Sequence, residues 1–139
     1  MFKIKRLDHL VIRTTNIKEM ISFYCFILGY KVGRDNLKES GLIELSAGES
    51  MIDLFDVSSD NISIEKTIQC DKDIKNLDHF CILLESFDET DIKVHLKNFG
   101  VSCSDVEMNY GSNGYGPSIF LYDPDGNKVE LKGVVNNSE

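Results

Sequence analysis

The sequence predicts an α+β protein built from two β-α-β-β-β modules. The first observation is a repeat, because Leu7-Asp8-His9 occurs again as Leu77-Asp78-His79. Each copy opens a short apolar run of strand length, and a helical pattern follows each run. A second match closes each half, at residues 51–54 and 128–131, where a carboxylate lies within an apolar run. A strand carrying histidine therefore opens each half, and a strand carrying a carboxylate ends it.

In the first half, residues 6–14 are predicted as a strand, because their apolar and polar side chains alternate. Thr15-Asn16 is predicted to cap a helix, with Glu19 in the capping-box position and Gly29 as the stop. Residues 35–40 indicate a turn. Further strands are predicted at 30–34, 42–46 and 51–56.

The second half repeats this order. Residues 77–84 are predicted as a strand, and a capping box at 86–89 precedes a helix at 91–99. Asp123-Pro124-Asp125-Gly126 indicates a turn, and the glycine-rich stretch 110–117 is predicted as a loop. The remaining strands are predicted at 101–106, 118–122 and 128–132.

The spacing of the repeat supports two related modules. The offset is 70 residues from His9 to His79 and 77 residues from Asp53 to Glu130. Most of this growth falls in the loop 110–117, and insertions into one copy of a repeat map to loops.

Length and composition favour a single globular domain over residues 1–139, with 42% hydrophobic and 27% charged residues. Module 1 is predicted at about 6–56 and module 2 at about 77–133. A polar linker at about 57–76 joins them, with a short strand predicted at 62–64, and residues 134–139 form a tail.

Charge and hydropathy exclude several classes of function. The formal net charge of −8 argues against nucleic acid as a partner, because phosphates require a basic surface. No apolar run approaches the roughly 20 residues that cross a bilayer. The first residues lead into a strand rather than a signal sequence, and the four cysteines are scattered, so a cytoplasmic protein with reduced thiols is expected.

Strand alternation turns four polar side chains away from the predicted helices, and these are the candidate metal ligands. Two imidazoles with two carboxylates suit a borderline divalent cation: Zn, Ni, Mn, Co or Fe. The alternative is a set of unrelated polar residues on a solvated sheet face. The four residues are His9, Asp53, His79 and Glu130.

The repeat and its motifs resemble the vicinal oxygen chelate superfamily, which includes glyoxalase I, extradiol dioxygenases and bleomycin-resistance proteins. The specific pieces are residues 7–10, the helix end 23–30, and the turn and strand 123–131. The resemblance covers residues 6–133 and implies a half-open, eight-stranded, barrel-like cleft. It also implies a homodimer that binds a small molecule and one divalent metal ion, with His9, Asp53, His79 and Glu130 as ligands.

By the same resemblance, the expected activity is that of a metal-dependent lyase or isomerase of glyoxalase I type. The substrate would be a 2-oxoaldehyde hemithioacetal or a 2-oxo or 2-hydroxy acid, converted through an enediolate, with Glu130 moving the proton. Arg13, Phe120 and Tyr115 are the candidate substrate-binding residues. The alternatives are a metal-free binding protein of bleomycin-resistance type and a thiol transferase of fosfomycin-resistance type.

Departures from the glyoxalase I pattern qualify the site. Asp53 stands where a longer Glu or Gln is usual, and Val57 stands where an Asn of the glutathione pocket is expected. Glu44 is an additional acid–base candidate if Ile43 and Leu45 pack under the helix. Cys81 shares the face of His79 and is interpreted as a packing thiol.

Overall fold

A computed structural model of the chain describes residues 2–58 and 77–135. The chain divides into two compact units, residues 1–68 and 69–139. The strand predicted at 62–64 lies outside the described residues. The single domain, the linker boundaries and the barrel-like cleft stay predictions.

The first unit contains a four-stranded mixed sheet in the order β1-β4-β3-β2. Strand β1 pairs with β4 in parallel, and the other pairs are antiparallel. A π-helical segment, Phe23–Ile27, continues the first helix. The elements are β1 (His9–Thr14), α1 (Ile17–Ser22), β2 (Lys31–Asn36), α2 (Leu37–Ser40), β3 (Leu42–Ala47) and β4 (Ser50–Asp56).

Helix α1 forms where the sequence predicts it. Asn16 is its N-cap residue, although the side chain makes no capping hydrogen bond. Gly29, with φ of +84°, follows the π-helical segment and turns the chain toward β2. The turn predicted at 35–40 is wrong, because β2 extends to Asn36 and α2 follows it.

The helix-side face of this sheet holds the core of the first unit, since strand residues alternate between buried and more exposed positions. Ile43 and Leu45 are buried, as expected for neighbours of an outward-facing Glu44. The other buried apolar side chains are Met20, Phe23, Tyr24, Tyr30, Ile52 and Leu54.

The second unit repeats the same topology with the strand order β5-β8-β7-β6. Strand β5 pairs with β8 in parallel, and β8, β7 and β6 are antiparallel neighbours. The two four-stranded mixed sheets with their helices confirm the predicted α+β class. The elements are β5 (His79–Leu83), α3 (Glu89–Asn98), β6 (Glu107–Gly111), β7 (Gly114–Tyr122) and β8 (Lys128–Lys132).

Two expectations for the second unit are wrong. Residues 101–106 form no extended strand, and Cys103 makes only an isolated bridge to Leu121. The predicted loop 110–117 is instead the end of the β6–β7 hairpin, in which Gly111 pairs with Gly114. Gly114, with φ of +82°, follows the tight turn. Neither Ser112 nor Asn113, the two turn residues, has a positive φ, so the left-handed residue of this hairpin is Gly114, directly after them.

The cap of α3 also differs from the capping box predicted at 86–89. Asp88 is the N-cap residue, and its Oδ1 accepts a hydrogen bond from the Asp91 backbone N–H at 2.9 Å. The helix therefore begins at Glu89, two residues before the predicted start. Among the described residues, no helix is long and apolar enough to span a membrane.

The turn before β8 is built around one buried carboxylate. Asp123 accepts hydrogen bonds from the backbone N–H groups of Asp125 and Asn127 and from the Asn127 side chain, at 2.8–3.0 Å. These bonds fix the entry of the chain into the strand that carries Glu130. The predicted turn is confirmed.

Backbone segments approach closely at two glycines of the second unit. A Cβ at Gly116 would lie 1.9 Å from the Gly133 carbonyl oxygen, and one at Gly133 would lie 2.4 Å from Phe87 Cβ. Neither glycine has a positive φ, so space rather than backbone conformation requires glycine at these positions.

Gly116→Ala is therefore expected to destabilise the protein by about 1–3 kcal/mol, the usual effect of forcing atoms into a packed site. The control is Gly33→Ala on strand β2, where a Cβ would meet Glu44 at an ordinary 3.6 Å. Chemical denaturation measures both free energies of unfolding. Equal values for the two variants would contradict the close approach.

Candidate metal centre

In the first unit, His9 and Asp53 lie on neighbouring strands and on the same face of the sheet. The parallel register pairs His9 with Met51 and Val11 with Asp53. The carboxylate therefore sits two residues further along its strand than the partner of the histidine. Ile52 and Leu54, which alternate with Asp53, are buried on the helix side.

The second unit repeats this arrangement at the same register. His79 pairs with Lys128, and Cys81 pairs with Glu130. Val129 and Leu131 are buried on the opposite face. Each unit therefore presents one histidine and one carboxylate with the same strand spacing.

Both histidines are bonded through Nδ1 to the aspartate that precedes them. Asp8 Oδ2 lies 2.8 Å from His9 Nδ1, and Asp78 Oδ2 lies 2.6 Å from His79 Nδ1. An ionised carboxylate can only accept, so Nδ1 donates in each pair. Asp8 precedes the first residue of β1, so the pleat of the strand does not direct its side chain.

These hydrogen bonds change the pKa values of the paired groups. The bond to Asp8 raises the pKa of His9, with a smaller contribution from the charge of Asp53. The bonds to the imidazoles lower the pKa values of Asp8 and Asp78. The aspartates are therefore ionised at neutral pH, as the donor assignment requires.

Each candidate carboxylate has one buried oxygen without a hydrogen-bond partner. These atoms are Asp53 Oδ1 and Glu130 Oε1, and they are the only such side-chain atoms found among the described residues. Buried polar atoms are normally satisfied, so an orphaned carboxylate oxygen is a place where a cation would bind favourably.

The second oxygen of Glu130 contacts the imidazole. Glu130 Oε2 lies 3.2 Å from His79 Nε2. Because Nδ1 already donates to Asp78, the lone pair of a neutral His79 lies on Nε2 and faces this carboxylate oxygen. Metal binding displaces protons from histidine and carboxylate ligands, so a divalent cation suits this position.

The donor set fits a divalent metal, but neither unit completes a site by itself. Within the described residues of each unit, no group of three or more His, Cys, Asp or Glu side chains is arranged to hold a metal ion. Each unit contains one candidate imidazole and one candidate carboxylate. The full set of four ligands stays a prediction.

The surroundings of Asp53 differ from those of Glu130. Burial raises the pKa of the Asp53 carboxyl, and the Glu44 carboxylate adds to this rise while His9 opposes it. Glu44 is the cross-strand partner of Asp53. Across the described part of the first unit, no ion pair joins His9 to Asp53, whereas His79 and Glu130 are in contact.

Glu44 lies on the same sheet face as Asp53, as predicted, but its carboxylate is paired with an arginine. Arg34 Nε and Nη2 donate to Glu44 Oε1 at 3.0 and 2.6 Å. This bond lowers the pKa of Glu44. An ionised, paired carboxylate is a poor general acid near neutral pH, so Glu44 is better interpreted as a partner of Arg34.

The three candidate substrate-binding residues lie in different surroundings. Arg13 is exposed on the same face of β1 as His9. The Phe120 ring meets His79 edge-on, with 5.5 Å between centroids. Tyr115 alternates onto the other face of β7, and its ring contacts Tyr110 with centroids 5.1 Å apart. Phe120 therefore faces Glu130, whereas Tyr115 does not.

Cys81 lies beside Glu130 as the sequence predicts. Burial, together with the Glu130 carboxylate, raises the pKa of its thiol to about 11. The thiol is therefore protonated at neutral pH and is a weak nucleophile. The described cysteines Cys25, Cys81 and Cys103 are all free thiols.

A cavity of about 290 Å³ opens beside the second histidine. Its polar lining includes Asp78, His79, Asn127 and Lys128. The Lys128 ammonium also lies 4.5 Å from the centre of the Phe120 ring. This volume is near the lower end of small-molecule sites.

Sequence reasoning did not assign roles to Asp8, Asp78, Arg34 and Lys128. The signal for the two aspartates was present, because the repeated tripeptide contains Asp as well as His. The Arg34 contact depends on a register shift between Val32 and Asp35 on β2. No sequence pattern announces such an irregularity.

Comparison with solved structures agrees with this fold. A protein from the mobile metagenome of V. pseudocholerae is 28% identical, with a TM-score of 0.78, and the match covers 98% of this chain and 99% of that one. A lactoylglutathione lyase from Agrobacterium tumefaciens is 19% identical, with a TM-score of 0.63 and 94% of each chain covered.

A genomically encoded fosfomycin resistance protein from Listeria monocytogenes is 16% identical, with a TM-score of 0.66, covering 96% of this chain and 97% of that one. At such identities the last two similarities show the fold alone. The family model that describes the Glyoxalase/Bleomycin resistance protein/Dioxygenase superfamily matches residues 6–131. With its two repeated β-α-β-β-β units, the chain belongs to this superfamily.

Proposed function

We propose that this chain is a metal-dependent lyase or isomerase of glyoxalase type, acting on a small substrate with adjacent oxygens. The observation that carries the proposal is the pair of orphaned carboxylate oxygens, Asp53 Oδ1 and Glu130 Oε1. Each carboxylate shares a sheet face with a histidine whose Nδ1 is occupied by a carboxylate. In a neutral imidazole this leaves Nε2 as the ligand atom.

The proposed ligands are His9, Asp53, His79 and Glu130, and the metal is one of Zn, Ni, Mn, Co or Fe. Mixed imidazole and carboxylate donors suit these cations. The orienting carboxylate on each Nδ1 is the usual second partner of a metal-binding histidine. We also propose a small-molecule substrate, a homodimer and a cytoplasmic location.

Glu130 is the proposed proton carrier. When bound, the metal would polarise a substrate carbonyl and so acidify the neighbouring C–H group. Glu130 Oε2 lies 3.2 Å from His79 Nε2, so this carboxylate is within hydrogen-bond reach of a neighbouring acid–base group. The Phe120 ring packs edge-on against His79 and places an apolar surface beside the imidazole.

Arg13 and Lys128 supply positive charge for an anionic substrate. Arg13 is exposed on the face that carries His9, and a guanidinium can hold a carboxylate in a two-pronged hydrogen bond. Lys128 lines the cavity beside His79. A 2-oxo or 2-hydroxy acid offers a carboxylate next to the reacting oxygen, which either of these cations could hold.

A thiol transferase of fosfomycin-resistance type is the second candidate. The observation that favours it is the unequal reach of the two carboxylates, because Glu130 contacts its histidine and Asp53 does not. A site that used only His9, His79 and Glu130 would have the two-histidine, one-glutamate set of those enzymes. If the protein binds no metal, the hypothesis of a metal-free binding protein is favoured instead.

The first prediction concerns the metal. Protein purified without chelator and then reloaded is expected to retain close to one divalent ion per chain, and His79→Ala to lose most of it. His95→Ala is the matched control, since His95 lies on helix α3 and packs against Phe99. Metal analysis measures all three proteins. Less than about 0.2 ion per chain in the wild-type protein would sink the proposal.

The second prediction ranks the carboxylates. Asp53→Ala is expected to weaken metal binding less than Glu130→Ala does, by about tenfold, because the aspartate reaches less far from its strand. Glu49→Ala, at an exposed position, is the control. Competition with a chromophoric chelator measures the affinities, and the reverse order would overturn the ligand assignment.

The third prediction concerns the substrate. Little turnover is expected with the glutathione adduct of methylglyoxal. By the resemblance to glyoxalase I, a glutathione pocket would need an Asn where this chain has Val57, and lysines where the β6–β7 turn has none. Small 2-oxo acids are instead expected to shift the absorption spectrum of the Co²⁺-substituted protein, and Arg13→Met to weaken that shift. A kcat/KM of about 10⁴ M⁻¹s⁻¹ or more with the glutathione adduct would contradict this prediction.

A further inference from the structure

The same side-chain pairing occurs independently in the two units. In each, the carboxylate of an aspartate meets Nδ1 of the histidine that follows it, at 2.8 Å for Asp8 and 2.6 Å for Asp78. The side chains of these aspartates are 74% and 81% exposed. Exposed ion pairs contribute little to folding stability. Folding alone therefore gives no reason for the pairing to occur twice.

The pairing does have a chemical consequence for the ring. A carboxylate only accepts, so the hydrogen of a neutral imidazole is held on Nδ1 and the lone pair is left on Nε2. For His79, Glu130 competes for the opposite tautomer through its contact with Nε2 at 3.2 Å. The contact with Asp78 is 0.6 Å shorter (3.2 − 2.6) and lies in the range of charge-assisted hydrogen bonds. The shorter contact favours hydrogen on Nδ1 of His79.

We propose that Asp8 and Asp78 are positioning residues, which hold the rings of His9 and His79 with Nε2 available to a divalent metal. This inference rests on the metal site of the proposed function. The aspartates would also restrict rotation of the rings, so that less freedom is lost when the ligand set is assembled.

The experiment reads the two histidines separately by ¹⁵N NMR of the metal-free protein, at a pH near 9, where imidazole is neutral. The wild-type protein is expected to show both rings with hydrogen on Nδ1. Asp78→Ala should shift His79 toward hydrogen on Nε2 and leave His9 unchanged, and Asp8→Ala should do the reverse. Asp78→Asn should keep the wild-type tautomer, because the amide oxygen still accepts from Nδ1.

Zn²⁺ affinity by chelator competition is the second measurement. Each alanine variant is expected to bind about 10–100-fold more weakly than wild type, as is typical when such an outer partner is lost. Asp78→Asn should fall in between. The control is Asp105→Ala, which removes a fully exposed carboxylate and should change neither tautomer nor affinity.

The outcomes separate this inference from the proposed function. Hydrogen on Nε2 of both wild-type rings, or unchanged Zn²⁺ affinity in both alanine variants, would overturn the positioning role while the metal site stands. Failure of the wild-type protein to bind Zn²⁺, with the expected tautomers present, would instead overturn the proposed function and the metal role of the aspartates with it.

Discussion

Parallel pairing between the first and last strand of each module is the constraint on which the candidate site depends. It fixes which residues are neighbours, so that Val11 lies opposite Asp53 and Cys81 opposite Glu130. Alternation along the strand then keeps histidine and carboxylate on one face and the apolar residues on the other. If the pairing register shifted by one residue, every candidate polar side chain would point into the core. The same strand register therefore determines both the packing of the core and the polar neighbours on the face that carries the histidines.

On the sheet face of each unit that carries the histidine, polar groups leave acceptor atoms without a hydrogen-bond donor. Two carboxylate oxygens are buried without a hydrogen-bond partner. Each imidazole is bonded to an aspartate through one ring nitrogen, and one of the two imidazoles also faces a carboxylate. Burial of unpaired acceptors opposes folding, since each loses hydration without gaining a donor. Unpaired acceptors at matching positions of both units are expected on a face that binds a cation. On a sheet face with only a structural role, each acceptor would have a hydrogen-bond donor.

The two units are related but are not chemically equivalent. In the first, Glu44 and Arg34 form an ion pair beside Asp53, and a register shift in β2 accompanies it. In the second, Phe120 takes the cross-strand position beside Glu130 and packs against His79. The first unit therefore places charge next to its carboxylate, whereas the second places an aromatic ring there. Under the proposed function, this difference is the reason that Glu130 rather than Asp53 is assigned the proton transfer.

The sequence by itself determined the modules, most strands and the candidate ligands, because hydrophobic alternation and an internal repeat are local patterns. It failed at residues 101–106, which form no extended strand, and at 110–117, where the chain turns at Ser112-Asn113 and both strands extend into the predicted loop. Tertiary structure alone decided that Arg34 pairs with Glu44 and that Tyr115 faces away from Glu130. These outcomes depend on rotamers, a strand irregularity and pairing between distant segments. Such contacts form only after the chain has folded, so no local pattern in the sequence encodes them.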